Sequence, residues 1–280
     1  MHSIWIIAAA LAVSAFPLRA QEAKEDAYRP RTPSPGEMVP IKPGQYTTGD
    51  AGGLAAERPV RRVTLGYFQI RKTEVTYADY AGCLADGACT EPREYIDRRN
   101  PDLPVAGVSW FQARDFCLWW GGRLPSEAEW EAAARGPSGN RFPWGNEFEW
   151  THGNFADGEP FAFGRTDRHD EVAPAGSFPR GATETGLMDM AGNVAEWVGD
   201  WFDPVYYGRS PSQNPKGPPA GQQKVIKGGS YRTVAADNRP SPYRAAARAS
   251  LPPEMARPDV GFRCVFDGKD PMELTDPEKP

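Results

Sequence analysis

Clear hydrophobic periods occur in only a few short stretches of this 280-residue chain. Alternating apolar and polar positions over residues 38–49 predict a strand, a turn and a second strand, and residues 61–70 predict a third strand. Thr76 is a suitable N-cap for a short helix. Residues 224–231 and 261–266 predict two later strands, the first of which ends in a Gly-Gly-Ser turn. The regular elements are therefore short and widely spaced.

Two helices have well-defined starts. Ser109 and Gln112 form a capping box before an amphipathic stretch that reaches Trp120, and two glycines follow it. Ser126 and Glu129 repeat the same pattern before a second amphipathic stretch, which also ends at a glycine. The sequence thus predicts two capped helices joined by a tight connection.

Residues 186–201 concentrate glycines, oxygen-bearing side chains and tryptophans. Asp189, Asn193 and Glu196 are spaced by four and three, which would place them on one face of a helix. Gly192 and the strand-like tryptophans favour a tight turn instead. Its carboxylates and carbonyls would suit Ca²⁺, which takes six to eight oxygen ligands. A polar turn above an aromatic core is the alternative, and the pattern alone leaves both open.

The stretch from residue 145 to residue 173 is predicted to consist almost entirely of loops. It carries Asn154, Asp157, Asp167 and Asp170, and a long ordered loop usually has a stabilising contact or a function. A second cation held by Asn154 and Asp167 would stabilise it. A solvated loop explains the same spacing without a metal.

The composition limits the classes of function. The formal net charge is −5 and 25% of residues are charged, which gives no basic surface for nucleic acid or for an anionic membrane. Glycine and proline occur 29 times each, with nine tryptophans. This combination indicates a loop-rich domain held by large aromatic residues, and it does not fit a helical bundle.

The N-terminus has the character of an export signal. Its apolar run over residues 4–16 is too short to span a bilayer comfortably, and a small-residue site precedes Gln21. Because the run lacks a preceding Lys or Arg, an uncleaved anchor is the alternative. The predicted organisation is a signal peptide (1–20), a disordered leader (21–35), one domain (36–267) and a C-terminal tail (268–280). No later stretch could cross a membrane, so we expect a periplasmic or secreted protein.

The chain has four cysteines, which we expect to form two disulfides in an exported protein. Cys83 and Cys89 lie in one short segment and would pair locally, which leaves Cys117 for Cys264. A reactive thiol or a Cys/His metal site is the rival interpretation. With only three histidines in the chain, such a cluster has few possible ligands.

Five motifs in a fixed order resemble the sulfatase-modifying-factor family, which includes the formylglycine-generating enzymes. They are Arg-Leu-Pro-Ser-Glu-Ala-Glu-Trp-Glu (123–131), Pro-Trp-Gly (143–145), Gly-Leu through Gly-Asn-Val-Ala-Glu-Trp (186–197), Gly-Gly-Ser (228–230) and Gly-Phe-Arg-Cys (261–264). The resemblance implies an α+β fold of C-type-lectin-like type: a single loop-rich domain with little regular secondary structure, stabilised by calcium and disulfides. It also implies that Cys117 pairs with Cys264.

The resemblance further implies two structural calcium sites. One would use the side chains of Asp189 and Glu196 with the backbone carbonyls of Gly192 and Val194. The other would use Asn154 and Asp167 with the carbonyl of Phe155.

The family's copper chemistry is not expected here. Formylglycine-generating enzymes bind copper through two cysteines in the segment that corresponds to residues 231–248, and this segment contains none. Thr233 and Pro240 fall nearest those positions, and neither can replace a thiolate as a soft ligand. Relatives that make sulfur-containing histidine betaines need an additional domain, whereas pyoverdine-maturation relatives are exported, of similar size, and lack the cysteine pair.

The same segment supplies candidate groove residues, of which several arginines suit an anionic or planar ligand. Salt bridges within a loop-rich fold are the alternative role for these charges. Asp237 or Glu254 could act as a general base. The candidates are Arg232, Asp237, Asn238, Arg239, Tyr243, Arg244 and Glu254, with Trp197 and Trp201 nearby.

Three functions remain open. The favoured one is an exported protein that binds a peptide, glycan or other ligand in the groove, as an accessory subunit without redox chemistry. The second is an unconventional oxidase or tailoring enzyme of the pyoverdine-maturation kind. Formylglycine generation is the third and the least favoured.

Overall fold

Nine strands and three α-helices organise the part of the chain that the computed structural model describes, residues 37–93, 100–156, 169, 171–234 and 241–268. These residues fall in one compact unit. The predicted signal peptide and leader lie outside them, as does the predicted tail beyond residue 268. In chain order the elements are β1 (Met38–Ile41), β2 (Gly44–Thr48), β3 (Arg61–Leu65), β4 (Phe68–Arg71), α1 (Tyr77–Ala85), α2 (Trp110–Trp119), α3 (Glu127–Arg135), β5 (Ala195–Trp201), β6 (Lys224–Lys227), β7 (Ala249–Leu251), β8 (Val260–Phe262) and β9 (Val265–Asp267).

The strands form three small sheets. One has the order β1-β4-β9, a second pairs β2 with β3, and the third has the order β7-β6-β5-β8. The pairs are antiparallel except β5 with β8, which run parallel. The third sheet carries the Glu196 motif on β5 and the start of the Gly-Gly-Ser turn after β6.

All three helices begin where the sequence predicts. Thr76, Ser109 and Ser126 are the N-caps, and each side chain accepts a hydrogen bond from the backbone N–H three residues later. The side chain of that third residue bonds back to the cap backbone, which satisfies two otherwise unpaired donors in each case.

Three predicted strands are shorter or split. Residues 61–70 form two strands because the chain turns at residues 66–67. Before the turn β3 pairs with β2, and after it β4 pairs with β1 and β9. β6 ends at Lys227 because Gly228 and Gly229 have φ of +85° and +67°, outside the extended region. Residues 261–266 divide between β8 and β9, which belong to different sheets.

Both predicted disulfides are confirmed. Cys83 bonds to Cys89 and Cys117 to Cys264, with Cα separations of 5.3 Å and 5.5 Å. The second joins α2 to the connection between β8 and β9, inside the core cluster that also contains Phe116, Trp197 and Phe262. No helix in the described ranges is both long and apolar enough to cross a bilayer.

Candidate functional site

The predicted turn before β5 holds its polar side chains inward. Asp189 and Asn193 have φ of 57° and 56°, the left-handed region that Asp and Asn tolerate better than most residues. The Asn193 amide nitrogen donates to Glu74 Oε1 at 3.0 Å, and its oxygen accepts from the backbone N–H of Ala173 at 2.9 Å. A tight turn is therefore observed, as the sequence predicts, and Asn193 joins it to two distant segments.

Glu196 is fully buried, and described protein groups bond to both of its carboxylate oxygens. Arg263 donates to Oε1 at 2.7 Å and to Oε2 at 2.8 Å, and the Trp130 indole N–H donates to Oε2 at 2.7 Å. Burial of such a carboxylate is tolerable only with a paired cation. Glu196 therefore has a structural partner, and a metal ion at this position would have to share the carboxylate with Arg263.

Glu74 is a member of this cluster that the sequence reading missed, and no local pattern marks it. Burial, followed by the nearby carboxylate of Asp189, raises the pKa of Glu74 well above its ordinary value. No donor bonds to its Oε2 by geometry in the described structure, and its carboxyl lies close enough to Asp189 to oppose the rise in pKa that burial causes in that group. Asp189 is also buried, and its Oδ2 accepts from the backbone N–H of Gly176 at 2.6 Å.

This cluster of buried carboxyl groups supplies oxygen atoms that could hold a cation. Glu196 bonds directly to Arg263, and the carboxyl groups of Glu74 and Asp189 act on the same guanidinium electrostatically. In the described part of the chain, however, no three acidic, cysteine or histidine side chains converge in the geometry of a metal site. Backbone carbonyls would have to complete the coordination, which Ca²⁺ accepts.

Asn154, from the second predicted calcium site, lies beside Asn193. Its amide nitrogen donates to the carbonyl of Glu171 at 2.8 Å and to Asn193 Oδ1 at 3.2 Å. Because both partners are acceptors, the orientation of the amide is fixed. Its Oδ1 is then buried without a partner, as a metal ligand would be. Asp157, Asp167 and Asp170 lie outside the described residues.

A cavity of about 210 Å³, here called the groove, opens beside the Gly-Gly-Ser turn. It reaches Ala249, the first residue of β7. This strand pairs with β6 alone among the described strands and forms one edge of its sheet. Apolar side chains and glycines provide much of its lining. The described lining residues are Leu54, Glu57, Ala195, Ile226, Lys227, Gly228, Gly229, Thr233, Val234, Pro242, Arg244, Ala247, Arg248 and Ala249.

The basic side chains of the groove are all ion-paired. Arg244 Nη1 lies 2.6 Å from Asp50 and 2.8 Å from Glu57. Arg248 donates to both carboxylate oxygens of Glu127, at 2.6 Å and 2.9 Å. Lys227 Nζ is 3.4 Å from a carboxylate oxygen of Glu131 and 3.7 Å from one of Glu127. The salt-bridge alternative is thus the observed one for Arg244, while Lys227 and Glu57 are lining residues that the sequence reading missed.

Other predicted groove residues have different positions. Tyr243 is buried, and its hydroxyl donates to the Thr233 carbonyl at 2.5 Å, so it braces the groove wall. Arg232 is exposed, with its guanidinium 5.2 Å from the centre of the Tyr231 ring. Glu254 is exposed and does not line the groove.

The remaining candidates are not in the groove or are not described. Trp197 is buried in the core, where its indole donates to the Val108 carbonyl at 3.0 Å. Trp201 packs against Lys224. Asp237, Asn238, Arg239 and Pro240 lie outside the described residues.

The cysteines leave no thiol for chemistry. The chain has four, all four are described, and the two disulfides account for every one. Thr233, the residue nearest one of the family's copper-cysteine positions, lines the groove with a neutral side chain.

Comparison with known proteins identifies the family. Residues 23–268 match the domain described as sulfatase-modifying factor enzyme 1-like. The formylglycine-generating enzyme of Streptomyces coelicolor is 34% identical, over 86% of this chain and 92% of its own. The mouse inactive C-alpha-formylglycine-generating enzyme 2 is 34% identical, over 63% of this chain and 53% of its own.

Among solved structures, PvdO from Pseudomonas aeruginosa superposes with a TM-score of 0.66 at 26% identity. The match covers 82% of this chain and 94% of that one. Together with the motifs, the disulfides and the loop-rich α+β fold, these similarities show that the chain belongs to the sulfatase-modifying-factor family.

Proposed function

We propose that this protein binds an extended peptide segment in the groove, as an exported accessory member of the family without cysteine-bound copper chemistry. The observation that carries the proposal is the lining of the groove. Its basic groups are neutralised by internal ion pairs, and the chain has no free thiol. Such a surface is suited to binding rather than to thiol-dependent oxidation.

A peptide fits this groove better than a glycan. The edge strand β7 can offer backbone hydrogen bonds to an added strand, which is a common mode of peptide recognition. Leu54, Ile226 and Val234 provide apolar contacts for a side chain of that peptide. The name of the mouse relative, an inactive enzyme, supports a family member that works without the oxidase activity.

We further propose that calcium stabilises the walls of this groove. The first site would draw on Asp189, Glu74 and the carbonyls of Gly192 and Val194, with Glu196 shared with Arg263. The second would draw on Asn154, the Phe155 carbonyl and Asp167. Calcium would neutralise the excess of buried carboxylates and give a partner to the unpaired oxygens of Glu74 and Asn154.

The proposed location is the periplasm or the cell exterior. Two disulfides join all four cysteines, and disulfides persist mainly in oxidising compartments. The apolar N-terminal run would direct the export.

Selection of a random peptide library, displayed on phage, against the immobilised protein tests the binding proposal. Val234→Asp should weaken binding of enriched peptides about tenfold or more, because a charge replaces an apolar contact. Val205→Asp is the matched control: these valines are 64% and 62% exposed, and Val205 does not line the groove. Failure to enrich any peptide, or equal losses in both variants, would contradict peptide binding in the groove.

A tailoring enzyme of the pyoverdine-maturation kind is the second candidate, and the likeness to PvdO favours it. Oxygen uptake by the purified protein with a periplasmic extract would support this candidate. Formylglycine generation can be tested directly, by aerobic incubation with a Cys-x-Pro-x-Arg peptide with and without copper. We expect no conversion of the cysteine, and efficient conversion would overturn the proposed absence of oxidase activity.

A further inference from the structure

A second cavity, of about 250 Å³, lies between the start of α2 and the end of β5. It shares no lining residue with the groove. Trp110 provides an aromatic wall, and its indole N–H donates to the Val198 carbonyl at 2.8 Å, which fixes the ring. The cavity is therefore a separate, preformed feature of the fold.

Three basic side chains line this second cavity: Arg114, Arg123 and Lys216. Arg123 is held between Glu129 and Asp267, at 2.7 Å and 2.6 Å. Arg114 pairs with its chain neighbour Asp115, and both side chains are 43% exposed, so the pair is weak. The Arg114 guanidinium also lies 5.5 Å from the centres of the Trp110 and Phe111 rings, at the edge of the same wall. No carboxylate in the described ranges lies within ion-pair distance of the Lys216 amine. Arg123 lowers the pKa of the Asp267 carboxyl, and Lys216 adds to this effect over a longer range. The positive charge of Lys216 therefore has no close ion pair among the described residues.

Of the described residues that line the cavity, Asp200 alone is acidic. It is 2% exposed, its Oδ2 accepts from the backbone N–H of Glu127 at 2.8 Å, and no described cation forms an ion pair with it. Burial, followed by the Glu127 carboxylate, raises the pKa of Asp200 to about 8, although Arg248 opposes the shift. The raised pKa favours the neutral form of this carboxyl, which offsets less of the surrounding positive charge than an ionised carboxylate would.

A buried amine behind the wall adds to this charge. Lys224 Nζ lies 4.0 Å and 3.9 Å from the ring centres of Trp110 and Trp201, and it donates to the Gly199 carbonyl at 2.7 Å. Burial lowers the pKa of Lys224 to about 8, while Asp200 and Arg114 act in opposite directions. A buried lysine without a carboxylate within ion-pair distance is unusual, because buried charges are normally paired.

We propose that the second cavity binds a small planar organic anion, such as an aryl carboxylate or aryl sulfonate. Its charged group would lie against Lys216 and Arg114, and its ring would lie against Trp110. Arginine and lysine form short, charge-assisted hydrogen bonds with such groups, and tryptophan provides a large apolar contact surface. The modest volume excludes a large ligand.

Titration of the purified protein with benzenesulfonate, followed by NMR of the ¹⁵N-labelled tryptophan indoles, tests this proposal. The Trp110 resonance, assigned from a Trp110→Phe spectrum, should shift and saturate. Benzenesulfonamide, which has nearly the same shape and no charge at neutral pH, should bind at least about tenfold more weakly, as expected for loss of a charge-assisted contact.

Variants locate the binding in the cavity. Lys216→Met and Arg114→Gln should each weaken benzenesulfonate binding about tenfold. Arg209→Gln, which also removes an exposed arginine paired with a nearby aspartate, should leave the affinity unchanged. Equal binding of the neutral probe, absence of a saturable Trp110 shift, or unchanged affinity in both cavity variants would overturn the proposal. Peptide binding in the groove would be unaffected by any of these results.

Discussion

Arg263 donates to both carboxylate oxygens of Glu196, and both side chains are completely buried. The same guanidinium also donates to the backbone carbonyls of Arg71, Lys72 and Met188, at 3.1, 3.1 and 2.9 Å. One arginine thus ties the motif on β5 to the end of β4 and to the turn that contains Asp189. Because these bonds cross three segments, the pair organises the centre of the fold.

Removal of Arg263 should therefore be severely destabilising. Arg263→Met leaves Glu196 as an uncompensated buried charge, which should lower the free energy of unfolding by about 3–5 kcal/mol. Glu196→Gln should also destabilise, because Arg263 loses its ionised partner. Urea unfolding measures both effects. The control Arg209→Met breaks an exposed pair with Asp203 and should cost less than about 1 kcal/mol, and similar losses at the two arginines would contradict this account.

The calcium proposal predicts that a chelator lowers the melting temperature and that added calcium restores it, because a ligand bound only to the native state stabilises it. Glu74→Gln should reduce this calcium-dependent difference, since it removes part of the buried negative charge. Glu254→Gln, at an exposed position outside the cluster, should preserve the difference. Melting that is unaffected by chelator and by calcium would argue against the proposed sites.

Asp200 should make stability fall as pH rises. In the native state its pKa is about 8, against an ordinary value of 3.8. Between these pH values the native protein holds a proton that the unfolded chain releases. The contribution of Asp200 to the free energy of unfolding therefore falls by up to about 1.4 kcal/mol for each unit that the pH rises. Below the lower value both states are protonated and the contribution is constant.

Asp200→Asn should remove this dependence. Urea unfolding at several pH values between the two limits should give a flatter profile for the variant than for the wild type. Asp115→Asn, at a side chain that is 43% exposed, should leave the slope nearly unchanged. Parallel profiles for wild type and Asp200→Asn would show that Asp200 is ionised in the native protein.

The two disulfides should contribute unequally to the free energy of unfolding. Cys117 and Cys264 are 147 residues apart, whereas Cys83 and Cys89 are six apart. By the loop-entropy estimate the long-range bond contributes about 5 kcal/mol and the local bond about 2–3 kcal/mol. Urea unfolding of the Cys117→Ala/Cys264→Ala and Cys83→Ala/Cys89→Ala variants compares them. A larger loss from the local pair would show that native packing, not chain entropy, dominates.

The sequence indicated which chain segment contributes to the candidate site, but not which of its side chains face the groove. Arg244 was among the predicted groove residues and lines the groove, beside the Gly-Gly-Ser turn. Of the other candidates, Tyr243 is buried and braces the groove wall, whereas Glu254 is exposed and outside the groove lining. Proximity along the chain does not specify the direction of a side chain in a loop-rich segment.

The sequence by itself determined two kinds of feature: those that depend on contacts within a few residues, and the pairing of a small number of cysteines. The N-caps at Thr76, Ser109 and Ser126 follow from bonds within one helical turn. With four cysteines, two of them close in sequence, the disulfide pattern could be predicted, and five ordered motifs indicated the family.

Only the tertiary structure decided which charged and polar side chains contact one another. Glu196 and Arg263 are 67 residues apart, and Glu74 and Asn193 are 119 apart. Nothing in the local pattern of either partner specifies such a contact, because it depends on how separate sheets and turns pack together. The same packing pairs the groove arginines with acids, while no described carboxylate lies within ion-pair distance of Lys216 or Lys224. For this reason residues 186–201 form a buried structural junction, and the second cavity combines motif residues such as Arg123 and Ser126 with Lys216, which lies outside every motif.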